Sequence, residues 1–364
     1  MSLYIFFLIV LFVLAVFDLT VGVANDAVNF LNSAIGSKVA TRRVIMIVAS
    51  MGIMVGALFA SGMMEVARKG LFHPQYYLFT EIIIIFLAVM FTDVLLIDFF
   101  NTFGLPTSTT VSLVFGLLGA AIGMAIYKVG DGETILVDGV QKVAEISDFI
   151  NSTKALTIIS SILLSVVFSF VFGVVIQWIS RLIFSFNIEK TIKYYGSLWG
   201  GVAISAITYF ILIKGVKDAS FMTADIYAQI QKNTLLIIFL SFVLWTILLQ
   251  ISSWVFKTNP LKIVVLVGTF ALAMAFAGND LVNFVGVPLA GLESFKIFAA
   301  NGGNDLLMGK LLDDINTPSY YLIIAGIIML FVLWFSKKAQ TVIETSLSLS
   351  RQEEGTERFG SSVC

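Results

Sequence analysis

The chain of 364 residues is 59% hydrophobic and 12% charged, whereas soluble domains are roughly 45–50% apolar and about 25% charged. So few charged side chains cannot cover a soluble globule of this length, and the composition therefore predicts a polytopic membrane protein. The formal net charge of −1 excludes an electrostatic basis for nucleic-acid binding, and a single His with a single Cys excludes a His/Cys metal site.

Hydrophobic segments recur along the chain at about the length that a membrane-spanning helix needs, which is roughly 20 residues. They cover approximately residues 3–36, 44–64, 76–100, 104–126, 156–184, 195–214, 234–256, 261–290 and 319–336. We expect them to be helices of an integral, multi-pass protein of the plasma or inner membrane, in contact with the lipid bilayer.

Polar stretches between these segments predict the order of the domains. Residues 1–127 form a first membrane repeat, 128–154 an extramembrane loop, 155–256 connecting helices, 257–336 an incomplete second repeat, and 337–364 a solvated C-terminal tail. Two Asp-Gly turn signals support the loop.

Two of the hydrophobic segments carry the same polar interruption. Residues 17–30 (FDLTVGVANDAVNF) and 275–284 (AFAGNDLVNF) superpose after a shift of 254 residues (279 − 25), which places Asn25-Asp26 on Asn279-Asp280 and Asn29 on Asn283. A charged side chain within a membrane segment costs about 2.5–3.5 kcal/mol. We therefore expect each helix to be broken at its motif and to face a water-filled cavity or bound ions. Matching breaks in two halves of a chain indicate a transporter with inverted repeats.

The residue types at these motifs suit a cation beside an anion. Carboxylates, amide carbonyls and unwound backbone carbonyls are hard oxygen ligands for sodium or a proton, and helix ends created by the breaks favour an anion. This combination is typical of a cation–anion symporter. The residues leave a second interpretation open, in which Asp26 and Asp280 only cap helices or hold the repeats together.

A run of hydroxyl side chains follows Gly104-Leu105-Pro106. Its members are Thr107, Ser108, Thr109 and Thr110, at the start of an apolar helix. Hydroxyls beside the free N–H groups of a helix N-terminus suit an oxyanion. Taken alone, the run is equally compatible with an ordinary helix cap.

Asp98 lies in the apolar segment that precedes this run, close to Asn101. Its carboxylate is either an additional cation ligand or the partner of a basic residue such as Lys38.

Together, Asn-Asp-x-x-Asn in both halves and Pro-Thr-Ser-Thr-Thr after the third segment resemble the inorganic phosphate transporter (PiT) family. That family has roughly G-A-N-D-x-x-N in each repeat and P-x-S-T-T in a re-entrant hairpin. The resemblance implies an all-α, polytopic membrane protein with two inverted-topology repeats, broken helices and re-entrant hairpins. It also implies symport of inorganic phosphate by alternating access, with sodium favoured over a proton as the coupling ion, no enzymatic activity and a possible homodimer.

The resemblance also implies roles for individual residues. The phosphate-binding set is Asn25, Asn29, Thr107, Ser108, Thr109, Thr110, Asn279 and Asn283, and the cation-binding set is Asp26, Asn29, Asp280, Asn283 and Asp98, with Asp26 and Asp280 as the sodium ligands.

The sequence departs from the family pattern in three ways. Val111 stands where many members have His, and Val23 and Ala277 replace the leading Gly. No second P-x-S-T-T run follows residue 284, which indicates either sequence that continues past Cys364 or a partner that completes the site, and we favour the former. Two alternatives to phosphate symport stay open. One is a permease for sulfate or another tetrahedral oxyanion, and the other is a membrane receptor or scaffold that does not transport.

Overall fold

The structure is a computed structural model, and it describes residues 2–59, 70–137, 140–184, 188–215, 223–301, 306–312 and 319–350. The described helices are α1 (Ser2–Gly36), α2 (Arg42–Phe59), α3 (Phe79–Thr102), α4 (Thr109–Gly130), α5 (Ile146–Phe149), α6 (Ser152–Phe184), α7 (Ile188–Phe210), α8 (Ala224–Lys232), α9 (Thr234–Val255), α10 (Pro260–Asn301), α11 (Ser319–Phe335) and α12 (Lys337–Ser350). Short 3₁₀ turns lie at Pro74–Tyr76 and Met308–Leu312, and a π-helical turn at Ile211–Gly215.

The hydropathy of these helices confirms a multi-pass integral membrane protein. Among the described residues, seven helices are long and apolar enough to cross a membrane. They are α1, α3, α4, α6, α7 with its π-helical extension, α9 and α10. The pair formed by α11 and α12 is bent by 64° and would add an eighth span. The predicted all-α polytopic class is therefore confirmed, whereas the inverted relation of the two repeats stays a prediction.

The two longest helices, α1 and α10, pack together at the centre of the bundle. One apolar core joins them to α2, α11 and α12, and a second joins them to α3 and α4. Contact between α2 and α10 is so close that a Cβ added to Gly56 would lie 2.2 Å from the backbone oxygen of Met274. Only glycine permits this approach, which fixes the position of the segment that precedes Asn279-Asp280.

The expected helix breaks at both Asn-Asp motifs are not present. α1 runs unbroken through Asn25 and Asp26, and α10 runs unbroken through Asn279 and Asp280. The backbone can remain helical because the side chains at these motifs find polar partners on other elements. The break in this half of the molecule lies instead between α3 and α4, where Gly104 has a φ of +66°.

The predicted extramembrane loop, residues 128–154, contains regular structure. Strands β1 (Thr134–Val137) and β2 (Val140–Val143) form an antiparallel hairpin in which Thr134 pairs with Val143, and the short helix α5 follows.

The expectation of a solvated tail from residue 337 is wrong for its first part. α12 buries Ala339, Val342 and Ile343 in the core that contains α1. Their spacing of three and four residues is that of an amphipathic helix, which gives a polar stretch an apolar face. The rest of the predicted tail, residues 351–364, lies outside the described residues.

In the predicted connecting region, α7 and α9 pack closely at Gly200 and Gly201, whereas α6 packs far less tightly. α6 buries Ala155 near its start but exposes apolar side chains along its length, such as Phe170 and Phe172. In a membrane protein an apolar exposed face is compatible with contact to lipid, so this face indicates no polar site.

Candidate functional site

Asp26 lies in the middle of α1 and is 3% exposed. Its Oδ1 accepts a hydrogen bond from Asn29 Nδ2 at 3.1 Å, one turn along the same helix. Its Oδ2 accepts a hydrogen bond from Thr109 Oγ1 at 2.8 Å, on the first turn of α4. The carboxylate thus connects α1 to the start of α4.

Asp280 occupies the equivalent place on α10. Its Oδ1 accepts hydrogen bonds from Asn283 Nδ2 at 3.1 Å and from Thr110 Oγ1 at 3.3 Å. Asn283 Nδ2 also donates to Thr110 Oγ1 at 2.8 Å. Each Asp-x-x-Asn motif therefore forms the same internal bond, and each reaches one of two consecutive threonines.

The N-terminus of α4 is the point where the two motifs meet. Ser108 is the N-cap, and its side chain accepts a hydrogen bond from the backbone N–H of Val111 at 3.3 Å. The first N–H groups of a helix have no acceptor within the helix. The N–H groups of Thr109 and Thr110 therefore carry the partial positive charge that favours an anion at this position.

Asn25 holds the connection between α3 and α4. Its Nδ2 donates to Asn101 Oδ1 at 2.8 Å and to the backbone oxygen of Leu105 at 3.0 Å, while its Oδ1 accepts from the N–H of Thr107 at 2.7 Å. Asn101 Nδ2 in turn donates to the backbone oxygen of Val21 at 2.7 Å. Both polar ends of the Asn25 amide are thus engaged, so Asn25 positions the loop that leads into α4.

Exposure differs among the predicted site residues. Asn25, Asp26, Thr109 and Asn283 are buried, Thr107, Thr110 and Asp280 are half-buried, and Asn29, Ser108 and Asn279 are exposed. Asn279 is thus unlike its repeat counterpart Asn25, which is 0% exposed. The polar cluster has an inner part around Asp26 and an outer part that is exposed at the surface of the helix bundle.

Asp98 lies apart from this cluster. It forms an ion pair with Lys338 of α12, and its side chain remains 43% exposed. The structure therefore favours the ion-pair interpretation of Asp98 over the cation-ligand one, with Lys338 as the partner in place of the expected Lys38. The ion pair joins residues 240 positions apart, a separation that sequence spacing does not reveal.

Three buried polar residues in the membrane spans were not assigned to the phosphate-binding or cation-binding sets. Asn101 holds the α3–α4 loop, as described above. Asp18 and Asp93 are 0% and 2% exposed within α1 and α3. Their signal in the sequence was a carboxylate within an apolar segment, which is rare in membrane helices and is usually functional.

Comparison with known proteins gives one family. The model of the phosphate transporter family matches residues 22–345. Among curated relatives, "Putative phosphate permease PF1020" of Pyrococcus furiosus is 23% identical over 286 residues, which cover 77% of this chain and 64% of the relative. "Putative phosphate permease TK2061" of Thermococcus kodakarensis is 22% identical over 283 residues, with the same coverage of 77% and 64%. The chain therefore spans about two thirds, 64%, of the length of these curated relatives.

A solved structure has a similar fold. It is described as "The sodium-dependent phosphate transporter" and superposes with a TM-score of 0.67 at 19% sequence identity, covering 94% of this chain and 78% of that chain.

Proposed function

Because the chain belongs to the phosphate transporter family, we propose that it carries inorganic phosphate across a membrane by alternating access, together with a cation, for which sodium is favoured over a proton. The two repeats, residues 1–127 and 257–336, supply one Asp-x-x-Asn motif each. The names of the curated relatives and of the structural neighbour support phosphate as the substrate and sodium as the coupling ion.

The observation that carries this proposal is the convergence of both motifs on one helix end. Asp26 and Asp280 belong to different halves of the chain, yet they contact the adjacent residues Thr109 and Thr110. Both carboxylates are therefore hydrogen-bonded to side chains in the first turn of α4. This arrangement can bind cations and an anion in direct contact.

The cation role falls to the carboxylates. Asp26 and Asp280, with the amide oxygens of Asn29 and Asn283 and the threonine hydroxyls, are hard oxygen ligands of the kind that alkali and alkaline-earth ions prefer. Two carboxylates repel phosphate, so phosphate binds well only after cations have neutralised them. Because the cations must bind before phosphate does, the transport of phosphate is coupled to that of the cations.

The anion role falls to the start of α4. Phosphate oxygens would accept hydrogen bonds from the N–H groups of Thr109 and Thr110 and from the hydroxyls of Ser108 and Thr110. The hydroxyls of Thr109 and Thr110 now donate to carboxylates, and cation binding would release them for the substrate. Asn29 and Asn279 are exposed and lie on the outer side of the same cluster.

Uptake of labelled phosphate into proteoliposomes under a sodium gradient tests the function. Asp280→Asn and Asp26→Asn should each abolish sodium-coupled uptake, because an amide cannot neutralise the cation. Asp98→Asn is the matched control, since it removes a carboxylate that is bound to Lys338, and it should retain uptake. Undiminished uptake in both site variants would contradict the proposal.

Competition identifies the substrate and separates the alternatives. Unlabelled phosphate and arsenate should compete with labelled phosphate much more strongly than sulfate. Equal competition by sulfate would instead indicate a general oxyanion permease. A protein whose thermal stability responds to neither phosphate nor sodium, and which shows no uptake, would be a receptor or scaffold.

A further inference from the structure

Asp18 is a buried carboxylate that the phosphate site does not use. It is 0% exposed, and neither of its oxygens has a hydrogen-bond partner among the residues that the structure describes. It precedes Asn25 by seven residues, which places both on nearly the same face of α1, about 10 Å apart along the helix axis. Asp18 therefore lies beyond the polar cluster, deeper along the interface of α1.

A second buried carboxylate lies on α3, which packs against α1. Asp93 is 2% exposed, its Oδ2 has no partner among the described residues, and its Oδ1 accepts a hydrogen bond from Ser112 Oγ of α4. Ala15 and Met90, each one helical turn before Asp18 and Asp93, belong to one apolar core, so the two carboxylates face the same interface. Three helices thus bring two carboxylates and one hydroxyl together.

Within the described ranges, no basic side chain is paired with Asp18 or Asp93. Among the described residues the buried basic side chain is Lys128, and it is bound to Glu81 and Glu133. Lys128 lies sixteen residues after Ser112 on α4, about 24 Å away along the helix. An unpaired charge in a membrane span is too costly to persist, so each of these carboxylates is neutralised from solution, by a proton or by a bound cation.

We propose that Asp18, Asp93 and Ser112 form a further sodium site, separate from Asp26 and Asp280. The three carboxylate oxygens without partners among the described residues and the serine oxygen are hard ligands of the kind that a small cation prefers. Magnesium would retain a shell of water that a buried site of this kind does not favour. The choice of sodium rests on the proposed function, but the site itself does not.

The position of this site gives it a role in coupling. Asp26 follows Asp18 by eight residues on α1, about 12 Å along the helix axis, a distance over which charges still interact in a poorly hydrated interior. Binding of a sodium ion at this site would lower the repulsion between the carboxylates of α1 and α3. It would thereby favour occupation of the site at the start of α4.

Direct sodium binding to purified protein in detergent, without phosphate, tests the proposal. Equilibrium binding of ²²Na⁺ at constant ionic strength should give one ion fewer per chain in Asp18→Asn and in Asp93→Asn than in the unmodified protein. Asp98→Asn, on the same helix as Asp93 but in an ion pair with Lys338, should retain the full number. Ser112→Ala should keep the number of ions and weaken the affinity by about 10-fold.

Two results would overturn the site. One is an unchanged number of sodium ions in Asp18→Asn and Asp93→Asn, whether or not proton release changes, and the other is displacement of the ion by stoichiometric calcium. Each variant should elute from a size-exclusion column as the same single species as the unmodified protein, which excludes misfolding as the cause of a lost ion. Ser112→Ala tests the site without removing a carboxylate. Loss of one ion in a protein that takes up no phosphate would uphold this site and contradict the proposed function.

Discussion

Lys128 and Asp18 are both buried charges, but their surroundings differ. Lys128 Nζ lies 2.8 Å from both carboxylate oxygens of Glu81 and 2.9 Å from Glu133, and the rings of Tyr77 and Phe149 lie 5.6 Å away. Asp18 has no hydrogen-bond partner within the described part of the chain. A charge whose counter-charges belong to the chain stabilises the fold, whereas one whose counter-charge must come from solution can respond to ion concentration.

Lys128→Met gives the largest expected effect on stability. Loss of the ammonium leaves Glu81 as a poorly compensated carboxylate, and breaking a buried ion pair on one side costs about 3–5 kcal/mol. Thermal unfolding in detergent should show a large fall in Tm. Lys142→Met is the matched control, because Lys142 is exposed and its pair with Asp148 spans 3.2 Å at the surface. An equal loss in both variants would contradict the distinction between the two environments.

Thr109→Val should have the next largest effect. It removes the hydroxyl that donates to the Asp26 carboxylate, and a hydrogen bond to a charged group contributes about 1.5–3 kcal/mol. Sodium should recover part of this loss, since a cation replaces the missing donor. The measurement is Tm with and without sodium, and a loss that sodium does not alter would count against a cation at Asp26.

In sodium-free buffer Asp18→Asn should raise the stability of the protein, whereas the two preceding substitutions lower it. The amide carries no charge, so its burial without partners is less unfavourable, and we expect stabilisation by about 1 kcal/mol. In sodium the unmodified protein should gain stability and the variant should gain less. A variant that is less stable than the unmodified protein without sodium would show that Asp18 has an internal partner after all.

Lys338→Ala should have the smallest effect. Its ion pair with Asp98 is about half exposed on both sides, and exposed pairs contribute about 0.2–1 kcal/mol. A Tm within about a degree or two of the unmodified protein is expected at physiological ionic strength. A loss as large as that of Lys128→Met would mean that burial is not what separates the two classes of pair.

The helices and the positions of the two motifs could be predicted from the sequence, because both depend on local composition. The segments 76–100, 234–256 and 319–336 lie within three residues of α3, α9 and α11 at each end. The polar motifs stood out because carboxylates are rare in such segments. The homodimer and the inverted topology were predicted too, and both stay predictions.

The continuity of α1 and α10 could not be predicted, because it depends on partners distant in the chain. Asn25 is held by Asn101, Leu105 and Thr107, at separations of 76 to 82 residues. Without those partners, the polar motif favours an unwound helix, which was the expectation. The amphipathic face of α12 was present in the spacing of Ala339, Val342 and Ile343, but the polar average of the tail concealed it.

The neighbouring threonines at the start of α4 also determine how that helix is turned about its own axis. An apolar helix presents similar side chains on all sides, so packing alone distinguishes weakly between rotations. Thr109 and Thr110 point about 100° apart, and each bonds a carboxylate on a different long helix. A one-residue insertion before Thr109 would place its hydroxyl where that of Thr110 now lies and would turn Thr110 about 100° further, away from its present partner. The rotation of α4 about its own axis is thus set by its first turn, because the hydrogen bonds of two adjacent hydroxyls can both form in one orientation only.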